Sequence, residues 1–301
     1  MQVGTPVIHI EGLTKRYGDV DALHELTIDV GDGEVLGFLG PNGAGKTTTI
    51  RLLLGLIRPT SGRAEIFGLD AERDAVAIHK RVAFVPGETA MWPALTGEEI
   101  LHLLGNVHGS VDEAYRDELI KRFDFDPKKK ARSYSKGNRQ KIVLIAAFAS
   151  RADLLILDEP TNGLDPLMEQ EFRGLMTEAK ERGQTVFLSS HILSEVEAVA
   201  DRVAILRAGR LVESGSLDQL RIASSVTVEI TFSAKPPSLA HAAGVREVVV
   251  EGKTVRCQVT GPMQPLLDAL VGHKVIDMFS REPSLEELFL AHYGSEQGPA
   301  A

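Results

Sequence analysis

Two stretches of this chain carry the residue types for phosphate chemistry. In the first, Gly40-Pro41-Asn42-Gly43-Ala44-Gly45-Lys46-Thr47 matches G-x-x-x-x-G-K-[ST], with Thr48 directly behind it. Glycines at this spacing let successive backbone N–H groups turn inward on a phosphate chain. Lys46 supplies a cation for the terminal phosphates, and the Thr47 hydroxyl is a hard oxygen ligand for Mg²⁺. In the second, Leu154-Leu155-Ile156-Leu157-Asp158-Glu159 is an apolar run ending in two carboxylates. Asp158 is placed to hold Mg²⁺, directly or through water, and Glu159 to polarise or deprotonate an attacking water.

Such groups work only if rigid elements deliver them to one place. The pattern predicts strands over Val7–Leu13, Leu26–Val30 and Glu34–Gly40, then a helix from Gly45 to Leu54, so the loop sits between strand and helix. Further apolar strands are expected at Val82–Val85, Leu154–Leu157, Thr185–Leu188 and Val203–Leu206. Their alternation with helical material is that of a largely parallel sheet covered by helices. The segment from Glu98 to about Phe123 reads as mostly helical, and Thr96 with Glu99 has capping-box spacing.

After about Leu220 the pattern changes. Strands are expected at Ser225–Phe232, Arg246–Val250, Thr254–Val259 and Lys274–Phe279, with a helix at Gln264–Leu270. A short helix between Pro237 and Ala243 would complete a β-α-β-β-α-β order, and a last helix is expected after Ser284, capped by Glu287. The expected division is residues 1–220 and 221–301, with a helical subdomain over about 88–150.

The chain has 301 residues and a formal charge of −9. That acidity opposes sequence-independent binding to nucleic acid or anionic lipid, which needs a surplus of Lys and Arg. Lys128-Lys129-Lys130-Ala131-Arg132 is read as a solvated basic face. The longest apolar run, Ile142 to Ala149, is far short of the roughly 20 residues that span a bilayer. Neither direct membrane insertion nor a secretory signal is expected. The lone Cys257 has no partner for an internal disulfide, which fits a reducing compartment.

Taken in order, the motifs over about residues 5–216 resemble the ATP-binding cassette (ABC) family, the ATP-hydrolysing subunits of ABC transporters. The resemblance implies an α/β P-loop NTPase fold of the ABC type, with a β-rich N-terminal part and a helical subdomain, followed here by a small α+β domain. Tyr134-Ser135-Lys136-Gly137-Asn138 resembles the family's L-S-G-G-Q signature, with Tyr134, Lys136 and Asn138 as departures. In the family this segment caps the nucleotide held by the opposite subunit, so Ser135 and Gly137 would contact a γ-phosphate in trans. Ser135 also reads as a helix N-cap, and the two roles are compatible.

Asn162-Gly163-Leu164-Asp165 resembles the D-loop between subunits, His191 the switch histidine, and Tyr17 the aromatic that stacks on adenine. Where the family has a glutamine after a Val-Pro pair, this chain has Gly87, with Glu88 one residue late as a possible metal ligand. The neighbouring Met91-Trp92-Pro93 either faces a membrane subunit, as in the family, or anchors the core.

The resemblance therefore implies ATP and Mg²⁺ as cofactors, a second ATPase subunit (identical or not) and a separate transmembrane permease. It places the chain at the cytoplasmic face of the membrane. The Tyr-Ser-Lys-Gly signature, the Val-Pro-Gly-Glu loop and Pro283-Ser284-Leu285-Glu286-Glu287-Leu288-Phe289-Leu290 are similar to ATPases of ABC-2-type drug and antibiotic exporters. A soluble ABC-type ATPase acting on ribosomes or DNA is the alternative. It is disfavoured by a single cassette without a coiled-coil insertion, and a GTPase by the lack of an N-K-x-D motif.

Overall fold

A computed structural model of the chain describes residues 5–217, 219, 226–239 and 241–281. The expected helix after Ser284 and the Pro283–Leu290 motif lie outside the described residues. The chain divides into two compact units, Met1–Ser214 and Gly215–Ala301.

The first unit opens with β1 (Ile8–Tyr17), β2 (Val20–Val30) and β3 (Val35–Leu39), followed by helix α1 (Lys46–Leu53). With β4 (Ser61–Ile66) and β5 (Leu69–Asp70), the first two strands make an antiparallel sheet in the order β2-β1-β4-β5. Next come α2 (Ala75–His79), β6 (Val82–Val85), α3 (Gly97–His108), α4 (Glu113–Arg122), α5 (Lys136–Ala149), β7 (Leu154–Asp158), α6 (Pro166–Glu181), β8 (Thr185–Ser190), α7 (Leu193–Glu197), β9 (Arg202–Arg207) and β10 (Arg210–Ser216).

A six-stranded sheet in the order β10-β9-β3-β8-β7-β6 carries the site. Strand β3 pairs in parallel with β8 and β9, and β7 with β6 and β8. Every residue of β3, β7 and β8 is buried, as expected of parallel strands covered on both faces. All three strands therefore run the same way and end at one edge, where Gly40, Glu159 and His191 follow them.

The segment from Glu98 to about Phe123, expected to be mostly helical, forms the two helices α3 and α4. The chain leaves α3 through Gly109 in left-handed backbone, and Asp112 caps α4 by accepting from the Tyr115 N–H. The capping box at Thr96 forms as expected: its hydroxyl accepts from the Glu99 N–H, and the Glu99 carboxylate accepts from the Thr96 N–H at 2.7 Å.

Helix α4 is tied to α6 by charge. Arg122 reaches Glu171 at 2.5 Å and Glu178 at 2.7 Å, while the Tyr115 hydroxyl donates to Glu178 at 2.6 Å. Burial alone would push the Glu178 carboxyl up, but the hydrogen bonds from Arg122 and Tyr115 outweigh it and hold the group at about 2. A depressed folded-state pKa stabilises the fold above the unfolded value near 4.5, and that stability is lost as pH falls toward 2. Glu178→Gln is therefore expected to lower the melting temperature at pH 7, with the difference shrinking between pH 4.5 and 2. Thermal melts across that range check it.

The second unit contains β11 (Val226–Phe232), β12 (Val245–Glu251), β13 (Thr254–Val259), α8 (Gln264–Leu270) and β14 (Val275–Arg281). Its sheet runs β12-β13-β11-β14 with antiparallel pairing throughout. That strand order is the one a β-α-β-β-α-β chain gives. The first crossover, however, is not helical: the described residues of 237–243 form turns and irregular chain. Leu239, fully buried, fills the core position that a helix would have covered. Cys257 is buried in the same core, where burial pushes its thiol up and leaves it inert.

Candidate active site

The glycine-rich loop leaves β3 at Gly40 and enters α1 at Lys46. Gly45 adopts φ 111°, and a Cβ there would stand 2.6 Å from the Ala22 carbonyl oxygen, so only glycine fits. The result is a helix N-terminus facing solvent across Asn42 and Gly43, with its N–H groups unspent on any side-chain cap.

Lys46 is 5% exposed and folds back to donate to the Gly40 carbonyl at 2.6 Å, with Pro41 at 3.3 Å. Its ammonium is also 3.5 Å from Glu159 Oε1. The Thr47 hydroxyl donates to Asp158 Oδ2 at 2.9 Å. Thus the two motifs, more than 100 residues apart in sequence, meet at one sheet edge. Thr48 occupies the same first turn of α1.

Glu159 sits where the chain turns off β7, at φ 47°. Left-handed backbone at a non-glycine residue costs of order 1–3 kcal/mol and persists only when neighbours enforce it. Here the Glu159 N–H donates to the Ser189 carbonyl at 3.0 Å, with the Ser189 hydroxyl at 3.3 Å. The Ser189 hydroxyl in turn donates to Asp158 Oδ1. His191 Nδ1 lies 3.3 Å from Glu159 Oε1, with its side chain 43% exposed. A carboxylate held this way, partly exposed and flanked by a lysine and a histidine, can orient and deprotonate a water beside a phosphate.

The signature segment starts α5. Ser135 is the N-cap, its hydroxyl accepting from the Asn138 N–H at 3.2 Å, and it is exposed. A Cβ on Gly137 would stand 2.5 Å from the Gly163 carbonyl oxygen, so this glycine is set by close approach of the loop after β7. Lys136, in place of the family's glycine, donates to Asn162 Oδ1 at 2.8 Å in that same loop. Tyr134, in place of leucine, is 4% exposed, and its hydroxyl donates to the Asp126 carbonyl at 2.7 Å. Two of the three departures from the signature, Tyr134 and Lys136, are thus accommodated by specific partners.

Other candidate residues stand apart. Asp165 is exposed and caps α6, accepting from the Leu167 and Met168 N–H groups at 3.1 Å each. Tyr17 ends β1 with 46% of its surface free and the Lys15 ammonium 5.0 Å from its ring, a geometry open to a stacked base. Glu88 is exposed, whereas Gly87 packs beside Asp158: a Cβ on Gly87 would lie 3.8 Å from the Asp158 carboxyl carbon. Trp92 is 50% exposed, which corrects its reading as a core anchor. It borders a largely apolar groove of about 550 Å³ shared with Val76, Phe84, Leu104 and Val107. Sequence reasoning missed the roles of Ser189, which bonds the Asp158 carboxylate and the Glu159 N–H, and of Gln140, which accepts from Thr89 at 2.8 Å and donates to the Pro160 carbonyl at 3.0 Å. Gln140 follows the signature by two residues; Ser189 carried no separate signal.

Residues 23–162 match the ABC transporter family. The chain is 40% identical over 230 residues to the bacitracin transport ATP-binding protein BcrA of Bacillus licheniformis, covering 75% of each chain. It is 34% identical over 307 residues to the daunorubicin resistance ATP-binding protein DrrA3 of Streptomyces coeruleorubidus, covering 96% of each. Among solved structures, an ATP-binding subunit of an ABC transporter superposes with a TM-score of 0.68 at 32% identity, over 71% of this chain and 92% of that one. The cassette MJ0796 in a post-hydrolysis state with ADP and Pi shares the fold, with a TM-score of 0.63 at 22% identity over 70% of this chain and 98% of that one. With the phosphate loop, the paired carboxylates and the signature segment in their places, this chain belongs to the ATP-binding, ATP-hydrolysing proteins of the ABC transporter family.

Proposed function

We propose that this chain powers export through a separate membrane permease, closing face to face with a second ATPase subunit around two ATP molecules. The observation that carries the reading is the single sheet edge joining Lys46, Thr47, Asp158, Glu159 and His191. The Ser135–Gly137 helix start lies on a separate element, α5, free to serve a partner's nucleotide.

In each site the loop N–H groups and Lys46 hold the phosphates, and Tyr17 offers its ring to the base. Glu159 takes a proton from water, and His191 positions the γ-phosphate. The partner's signature contributes its serine hydroxyl and its glycine N–H. The Thr47 hydroxyl and Asp158 carboxylate, 2.9 Å apart, are hard oxygen donors that fit Mg²⁺. Among the described residues no group of three or more His, Cys, Asp or Glu forms a cage. That suits an ion which keeps waters and takes phosphate oxygens; when bound it neutralises charge on the phosphates.

Among the described residues no helix is long and apolar enough to cross a membrane. In this reading the permease supplies the span and the chain docks on it at the cytoplasmic face. The groove beside Trp92 suits an apolar segment of that permease. The names of the relatives support antibiotic or drug cargo.

A crosslinker on Trp92→Cys tests the docking in the native host. The expected product is an integral membrane protein whose purified complex hydrolyses ATP faster than the chain alone, with inhibition by vanadate. Capture of ribosomal or DNA-bound proteins instead would replace this reading with the soluble alternative.

A further inference from the structure

One partly buried carboxylate near the site has no part in the chemistry above. Glu195, on α7, points its Oε2 at two hydroxyls: it accepts from Thr161 at 2.9 Å and from Ser190 at 3.1 Å. Both hydroxyl residues are nearly inaccessible, at 7% and 2% exposed. Thr161 begins the loop after Glu159, and Ser190 ends β8 immediately before His191. Glu195 is therefore a clasp between the two segments that carry Glu159 and His191.

The clasp continues on both sides. On one, the Ile192 N–H donates to the Ser190 hydroxyl at 2.9 Å, which fixes the turn holding His191. On the other, the Leu164 N–H donates to the Thr161 carbonyl at 2.9 Å and the Asn162 N–H to the Glu159 carbonyl at 3.1 Å, which fixes the loop. Asn162 is then held by Lys136, and Gly163 packs on Gly137. A continuous set of contacts thus runs from His191 through Ser190, Glu195 and Thr161 to the start of α5. Partial burial pushes the Glu195 carboxyl up, against the lowering by the two hydroxyls.

We infer that Glu195 is a positioning residue for ATP hydrolysis: by accepting from Thr161 and Ser190 together, it holds the His191 turn and the 161–165 loop in one arrangement. The inference rests on the proposed roles of Glu159 and His191. The function lies in the paired acceptor and not in the negative charge, so an amide oxygen in the same place should serve. Glu195, Thr161 and Ser190 are not among the groups assigned to nucleotide binding, so ATP affinity should be spared.

The test compares Glu195→Ala and Glu195→Gln. Glu195→Ala is expected to lower kcat about tenfold or more, the scale of losing two partly buried hydrogen bonds, with the Kd for a fluorescent ATP analogue within about twofold of the parent. Glu195→Gln is expected to recover most of the rate. In the nucleotide-free chain, hydrogen exchange at the Asn162 and Leu164 amides is expected to quicken about tenfold in Glu195→Ala and to stay near parental in Glu195→Gln. Parental exchange in Glu195→Ala, or equal losses in both variants, would overturn the inference. Absence of hydrolysis by the parent would instead count against the site reading, since the exchange readout does not depend on turnover.

Discussion

Glu159→Gln is expected to lower ATP turnover by about 10²- to 10⁴-fold, the usual worth of a general base, while ATP still binds. The substitution keeps the shape of the side chain, and the Ser189 carbonyl and hydroxyl still receive the residue's N–H. What it removes is the one property a water-activating group needs, an ionised oxygen able to take a proton. It also removes the negative charge 3.5 Å from Lys46, so the ammonium is released toward the phosphates and binding is not weakened. Steady-state hydrolysis and titration with a fluorescent ATP analogue, run on the same preparation, separate the two effects. Turnover at the parental rate would remove Glu159 from the mechanism.

Lys46→Ala should act at the opposite step, weakening ATP binding by about 100-fold or more, the scale of one to two charge-assisted hydrogen bonds in a shielded site. The lysine is nearly sequestered, satisfied by the Gly40 and Pro41 carbonyls and by Glu159. Those partners fix the ammonium at the mouth of the loop. Its removal also leaves Glu159 facing the phosphate chain without a neutralising cation, so the loss exceeds that of a surface lysine. Lys46→Arg is not expected to restore affinity, because the longer fork does not fit a position 5% exposed. Binding within twofold of the parent in Lys46→Ala would contradict this.

Much of this arrangement was legible in the sequence, for physical reasons. A loop with glycines at two critical turns between a strand and a helix has few other uses. A fully apolar strand such as Leu154–Leu157 must be buried, so the carboxylates that end it must emerge at the sheet edge. Residues joined by tertiary contact were harder to read. Nothing local marks Ser189 as the hydroxyl that orders Asp158 and Glu159, because its partners lie about 30 residues away. Glu195 reads as an ordinary helix-surface acid until α7 folds it onto Thr161 and Ser190. Trp92 was undecided because an aromatic between Met and Pro fits core or groove equally well, and only its exposure separates them. The helix expected between Pro237 and Ala243 rested on the order of the surrounding strands, and that order survives a crossover that is not helical.

The central claim is that each site is completed by a second chain. The most direct measurement is sedimentation of the Glu159→Gln chain with and without saturating ATP, since blocked turnover should hold the closed state. A monomer without nucleotide that becomes a dimer with ATP, and fails to do so when Gly137→Ala is added, is the predicted result. A chain that binds ATP and remains monomeric would contradict it.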